Sequence, residues 1–180
     1  YEEKHDKGSF IKNIISDNIL ISDIYMRAKE LHVNAEVNRG VFVIRPANER
    51  VEAIPLDVVQ NLFPDRQNDF VLSVGERDIA LIHQMADDAT SADLEAVANT
   101  VEEALRQDGE SCVFVGIGTM ATHLRDLAKS YKEAQIAIEV GKVFDTERFV
   151  VNYENLGIGR LIYQLPTTLC EMFLQEVFKK

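Results

Sequence analysis

The first part of the chain carries a helical pattern of apolar residues. Apolar side chains recur there at three- and four-residue spacing, as on one face of a helix. They are Phe10, Ile11, Ile14, Ile15 and, at the end of the run, Ile19. Ser22 and Asp23 are predicted to cap a second helix. Its apolar positions are Ile24, Ala28 and Leu31. Such a helix pair must bury its stripe, either on its own chain or against a second copy.

Short apolar runs further along the chain predict β-strands. They lie at residues 41–44, 69–74, 78–83, 112–117 and 149–151. The second and third runs flank a short turn at Gly75, which is typical of a β-hairpin. The third run is almost continuously apolar, so we predict a central strand that is buried on both faces. Arg39-Gly40 is predicted to be a break before the first strand.

Amphipathic patterns between these strands predict helices. Pro55 suits the first turn of a helix that reaches Leu62. Residues 90–93 form a capping box that opens a helix predicted to end at Gly109. Another helix follows the fourth strand and is predicted to end at Gly141. Two helical pieces separated by Pro166 are predicted to close the chain.

Over residues 41–151 the predicted order of elements is β-α-β-β-α-β-α-β. This order contains the split βαβ plan, with a central hairpin and helices packed on a sheet face. The predicted fold class is therefore α+β, a ferredoxin-like βαββαβ two-layer sandwich flanked by helices at both ends. We divide the chain into an N-terminal helical linker or dimer segment (1–36), a central domain (37–152) and a C-terminal helical segment (153–180).

Composition excludes some classes of function. The chain has 30 acidic residues against 19 Lys and Arg, a net charge of −11. This acidity opposes direct binding of nucleic acid, because such surfaces gather cations to displace counterions from phosphates. No apolar run approaches the ~20 residues of a membrane span, so we expect no membrane contact. We expect a cytoplasmic location because two cysteines make a disulfide framework unlikely.

The usual signatures of metal sites and nucleophilic catalysis do not occur in the sequence. Cys112 and Cys170 both lie in apolar patterns and are interpreted as buried free thiols. The histidines at positions 5, 32, 83 and 123 lack the spacing of a zinc site. No Gly-x-Ser-x-Gly motif is present. We therefore expect no catalytic residue, no metal and no cofactor.

One glycine motif imitates a cofactor site. Residues 116–121 (Gly-Ile-Gly-Thr-Met-Ala) follow a strand, as the dinucleotide-binding fingerprint does. The motif lies late in the chain, however, and Asn152 follows Val151 where a ribose-binding acid is expected. We favour a tight strand-to-helix turn and keep nicotinamide-cofactor binding as an alternative.

The hairpin turn is the other candidate for chemistry. Gly75-Glu76-Arg77-Asp78 places two acids and a base at a predicted exposed tip. Two neighbouring acids could hold Mg²⁺ or act as acid and base. Solvated turn residues are the ordinary interpretation of the same pattern.

The hairpin resembles the Gly-Gly-Asp-Glu-Phe hairpin of diguanylate cyclases with most of its chemistry erased. The positions that match this motif, in order, are Gly75, Glu76, Arg77, Asp78 and Ile79. Residues 115–118, followed by a helix with Ala134 near its end, are similar to the Ser-Ile-Gly strand and helix of that fold. The resemblance therefore implies a degenerate GGDEF-like domain.

Nearly the whole chain resembles the middle part of bacterial transcription regulators of the carbohydrate-diacid and purine-catabolism type. Residues 9–15 and 28–31 are similar to the segment before their cyclase-like domain, and residues 153–157 and 161–166 to the segment after it. In that family an effector-sensing domain often lies upstream and a helix-turn-helix domain downstream. The resemblance implies an excised fragment of such a regulator, which contacts DNA only through the absent C-terminal domain.

The same resemblance implies that catalysis has been lost. Cyclisation of GTP requires two metal ions held by carboxylates on the first strand and the hairpin. Here the first strand runs to Arg45 without an acid, and Arg77 places a cation where a metal must sit. Two cations ~4 Å apart repel by several kcal/mol at an effective dielectric near 20. We expect no cyclase activity.

Two hypotheses for the function follow. The leading one is a non-catalytic regulatory module that couples effector sensing to DNA binding, as a dimer and through flanking domains. Phe10, Ile14 and Ile15 are the candidates for a dimer or interdomain contact, with packing on the chain's own sheet as the equal alternative. The second is a sensor for a small nucleotide or metabolite in the vestigial nucleotide cleft. Its candidate residues are Gly75, Glu76, Arg77, Asp78 and Arg45.

Overall fold

The computed structural model describes residues 2–47, 54–107, 113–144 and 149–156. The α-helices in these ranges are α1 (Glu2–Ile15), α2 (Ile21–Glu30), α3 (Leu56–Leu62), α4 (Ser91–Gln107) and α5 (Leu127–Phe144). The strands are β1 (Arg39–Pro46), β2 (Phe70–Val74), β3 (Asp78–Gln84), β4 (Val113–Ile117) and β5 (Val150–Asn152). Short 3-10 helices span Leu124–Asp126 and Tyr153–Asn155. The predicted helix end at Gly109, both cysteines and the helical pieces around Pro166 lie outside the described residues.

The five strands form one sheet in the order β2-β3-β1-β4-β5. The pairs β2–β3, β3–β1 and β1–β4 are antiparallel, whereas β5 runs parallel to β4. The first four strands therefore have the ferredoxin-like arrangement that the βαββαβ order predicts. β3 lies inside the sheet, and its residues 79–82 are all buried. The predicted α+β class, the hairpin and the buried third strand are confirmed.

Helices cover both faces of this sheet. Phe42 and Ile44 of β1 pack on the side of α3 and α4. Val41, on the opposite face of the same strand, packs with α1 and α2, and Val43 packs with α5. The predicted two-layer sandwich thus gains a third layer. Strands that are apolar on both faces require cover on both sides.

The apolar stripe of α1 belongs to the core of the chain itself. Phe10, Ile14 and Ile15 are only 1–3% exposed. They pack in one cluster with residues of α2 and of β1–β3, among them Val41 and Ile82. Of the two alternatives weighed for this stripe, the structure shows packing on the same chain's sheet. These three side chains are therefore not an exposed surface for a dimer contact.

Two glycines that were predicted to interrupt the chain lie inside regular elements. Gly40 belongs to β1 and pairs with His83, so the predicted break at Arg39-Gly40 is wrong. Gly141 lies inside α5, which continues to Phe144, so the predicted helix end is wrong too. A Cβ at Gly40 would lie 2.5 Å from Leu94 Cδ2, and one at Gly141 would lie 2.7 Å from Val151 Cγ2. Both positions allow close packing and do not end an element.

Helix capping is partly as predicted. The backbone N–H of Thr90 donates to Asp93 Oδ2 over 2.8 Å at the start of α4, which confirms the capping box. The predicted caps Ser22 and Asp23 instead lie within α2. That helix begins at Ile21, and its N-cap residue Leu20 makes no side-chain capping bond. None of the helices in the described part of the chain has the length and hydropathy that a membrane span requires.

Candidate functional site

The turn of the β2–β3 hairpin lies beside the carboxyl end of β1. A groove of about 470 Å³ opens there. We call it the hairpin cleft. Its lining comprises Arg45, Pro46, Glu76, Arg77, Asp78 and Lys142. The structure thus brings together four of the five predicted cleft residues and adds Lys142 of α5, which the sequence did not single out.

Gly75 shapes the turn and does not line the cleft. Its φ of +59° lies in the left-handed region that favours glycine. Val74 and Asp78 pair directly across the hairpin, so the turn consists of residues 75–77. This geometry places the Asp78 carboxyl group at the first position of β3, next to β1.

Arg45 binds the Asp78 carboxylate through three hydrogen bonds. Its Nε donates to Oδ1 and Oδ2 over 3.1 and 3.2 Å, and its Nη2 donates to Oδ2 over 3.0 Å. The third nitrogen, Nη1, donates to Glu139 Oε1 on α5. One guanidinium therefore connects β1, β3 and α5.

The ion pair is largely shielded from water. The side chains of Arg45 and Asp78 are only 19% and 16% exposed. Burial lowers the pKa of Arg45, but the hydrogen bonds and charges of Asp78 and Glu139 outweigh it and raise the pKa above its usual value. Nearby, burial and the negative charge of Asp78 raise the pKa of Tyr131. Arg45 therefore keeps its positive charge in the cleft.

The cleft does not fit a divalent metal ion. Mg²⁺ requires several oxygen ligands, but both oxygens of Asp78 accept hydrogen bonds from Arg45. The sequence of β1, Arg-Gly-Val-Phe-Val-Ile-Arg-Pro, supplies no carboxylate. Among the residues that the structure describes, no three His, Cys, Asp or Glu side chains are grouped to hold a metal.

The cation that binds the hairpin carboxylate is Arg45 and not Arg77. The sequence pointed to Arg77, but in the structure Arg45 binds Asp78. Arg77 is half-buried in the cleft lining and forms no ion pair with any described residue. Because β1 lies directly beside β3, the guanidinium comes from the neighbouring strand and not from the turn.

The glycines of residues 116–121 have a packing function. A Cβ on Gly116 would lie 2.1 Å from the carbonyl oxygen of Ala134, and one on Gly118 would lie 2.1 Å from that of Ser130. Both glycines therefore let α5 lie directly on β4. Ala121 is hydrogen-bonded to the backbone of Arg39, and α5 begins only at Leu127. A pyrophosphate site needs a helix amino end straight after the glycines, so the dinucleotide alternative is wrong.

The sheet order, the central glycine hairpin and the helix laid on β4 define a mixed α+β domain with one five-stranded sheet. A family profile described as a GGDEF-like domain matches residues 17–140. The chain belongs to this family. The match includes α2 and β1–β4, and with them every lining residue of the hairpin cleft except Lys142. A search of curated proteins finds no match to the chain.

Proposed function

We propose that the chain is a non-catalytic regulatory domain that relays a signal within a bacterial transcription regulator of the carbohydrate-diacid or purine-catabolism type. Its membership of the GGDEF-like family supports a domain that keeps the cyclase fold. The observation that carries the proposal is the ion pair of Arg45 with Asp78. A guanidinium holds the hairpin carboxylate that a cyclase would need for its metal ions.

The packing suggests a path for the relay. The stripe of α1 is buried on the sheet, and α1 also contacts α5. α5 in turn rests on β4 and reaches the hairpin cleft through Glu139. A displacement of α1 by an upstream domain would therefore move α5 and strain the Arg45 ion pairs. In the full-length regulator, a separate domain would contact DNA, because this chain carries a net charge of −11.

The domain is predicted to lack diguanylate cyclase activity. We expect purified protein incubated with GTP and Mg²⁺ or Mn²⁺ to form no cyclic dinucleotide and to release no pyrophosphate. The physical reason is that the Asp78 carboxylate is bound by Arg45 and that β1 supplies no carboxylate. Mass spectrometry of the reaction checks this, with an active diguanylate cyclase as the positive control. Formation of any cyclic dinucleotide would overturn the non-catalytic proposal.

A second candidate function is a sensor for a small anionic ligand in the hairpin cleft. Arg77 and Lys142 line the cleft, and neither forms an ion pair with another described residue. Lys142 lies over the Phe114 ring, with its Nζ 5.7 Å from the ring centroid. A volume of about 470 Å³ is in the range of small-ligand sites. These two cations favour a ligand with carboxylate or phosphate groups.

Thermal unfolding in the presence of ligands tests this second candidate. A sugar diacid or nucleotide that binds the cleft is expected to raise the unfolding temperature, since a ligand at 100 times its Kd adds about 2.7 kcal/mol. The double variant Arg77→Ala/Lys142→Ala should lose the shift. The control Lys12→Ala/Lys29→Ala, which removes two exposed cations elsewhere, should keep it. Absence of any shift at millimolar ligand would contradict the sensor function.

A further inference from the structure

A second groove runs along the amino-terminal half of α5, away from the hairpin cleft. Its volume is about 720 Å³. We call it the α5 groove. Three of its lining residues are basic, namely Arg125, Lys129 and Lys132. Their spacing of four and three residues places them on one side of the helical segment. Three cations of a strongly acidic chain thus line one concave surface.

The carboxylates of α5 form no ion pairs with these cations. Glu133 follows Lys129 by four residues, a spacing at which helical ion pairs form. Its Oε1 instead accepts hydrogen bonds from the backbone N–H of Thr119, over 3.1 Å, and from the Thr119 hydroxyl. Glu139, the other acid in α5, binds Arg45. Glu133 thus lines the groove but is engaged with Thr119, and Glu139 is engaged with Arg45.

The three cations are consequently available to a ligand. All three side chains are exposed, and none forms an ion pair within the described ranges. The lining also includes the partly buried apolar side chain of Ile136, the exposed acid Asp17 and the buried acid Glu133. The volume lies within the range of small-molecule sites. Three cations without ion pairs around such a groove suit a ligand that carries at least two negative charges.

We propose that the α5 groove binds a small multivalent anion, a compound with a diphosphate or several carboxylate groups. The site is separate from the hairpin cleft, and the inference does not depend on the regulatory function proposed above. Arg125 can bind phosphate or carboxylate oxygens through two parallel hydrogen bonds. Lys129 and Lys132 add point charges on the same side. Asp17 opposes the ligand and lowers its affinity.

Titration of ¹⁵N-labelled protein with inorganic pyrophosphate, and separately with citrate, tests the proposal and distinguishes the two chemistries. We expect at least one anion to shift the amide signals of Thr119 and of residues 125–136. The affinity should fall when salt is raised from about 20 to about 200 mM, because the screening length shortens. Binding of neither anion at millimolar concentration would overturn the proposal.

A matched pair of triple variants locates the site. Arg125→Ala/Lys129→Ala/Lys132→Ala is expected to weaken binding at least about tenfold, since three charge-assisted contacts are lost. Lys12→Ala/Lys29→Ala/Arg66→Ala removes three exposed cations elsewhere and should change the affinity less than about twofold. Equal weakening by both variants would show nonspecific attraction and refute the site. Loss of binding in Arg77→Ala/Lys142→Ala would place the anion in the hairpin cleft and refute it as well.

Asp17→Asn tests the proposal through an expected gain in anion affinity. Asp17 has a φ of +59°, and asparagine tolerates this left-handed conformation as well as aspartate does. The variant therefore removes one negative charge from the rim without straining the turn. We expect the anion to bind about two- to threefold more tightly. Unchanged or weaker binding would contradict an anion held at this rim.

Discussion

Replacing Gly116 by alanine is expected to destabilise the domain by about 3 kcal/mol. The new Cβ would lie 2.1 Å from the carbonyl oxygen of Ala134 and 2.8 Å from Ile138 Cγ1. Gly116 pairs with Val43 on one side and with Val151 on the other, so β4 is held in place within the sheet. α5 must therefore move away from the sheet. We expect thermal unfolding to begin about 6–12 °C lower, which calorimetry would measure.

Gly8→Ala is the matched control for this prediction. Gly8 lies inside α1, and a Cβ there would meet only Leu72 Cδ2 at 3.8 Å. Alanine is the better helix former, so this variant should gain about 0.5–1 kcal/mol. If Gly116→Ala proved as stable as the original protein, the close packing of α5 on β4 would be wrong.

Replacing Arg45 by glutamine is expected to have two effects. It should destabilise the fold by about 1–2 kcal/mol, because the largely shielded Asp78 carboxylate loses its partner. It should also free Asp78 and Glu139 as oxygen ligands, so that the hairpin cleft gains affinity for a divalent cation. Urea unfolding measures the first effect, and the dependence of unfolding on Mn²⁺ measures the second.

Arg77→Gln is the control for Arg45→Gln. It removes the same charge from the same cleft, but Arg77 forms no ion pair with another described residue. Its stability should stay within about 0.5 kcal/mol of the original, and it should gain no metal affinity. Equal effects of the two variants would show that the charge of the cleft matters and that the specific Arg45–Asp78 contact does not.

Most of the sheet could be predicted from sequence because its signals are local. The apolar runs fix where the strands lie, and the Gly75 turn fixes the hairpin. The capping box fixes the start of α4. Gly40 and Gly141 could not be placed from sequence, because a glycine that permits close packing looks the same there as one that ends an element. Their neighbours, Leu94 and Val151, are distant in the chain.

The site was only partly predictable. The sequence identified the hairpin turn and Arg45, but not Glu139 or Lys142, which α5 contributes. Arg45 and Glu139 are 94 residues apart, so no spacing rule connects them. The small residues at 116, 118 and 134 are a signal that α5 packs on β4. They do not indicate which side chains of α5 reach the cleft. Likewise, the apolarity of the α1 stripe requires burial without indicating which chain buries it.

Paramagnetic broadening by Mn²⁺ most directly tests whether the Asp78 carboxylate is unavailable to metal ions. Spectra of the ¹⁵N-labelled protein would be recorded with substoichiometric Mn²⁺, alongside Arg45→Gln. We predict that the amide signals of residues 76–78 stay sharp in the original protein and that the Asp78 signal broadens in the variant. Selective broadening of Asp78 in the original protein would contradict a cleft closed to metal by Arg45.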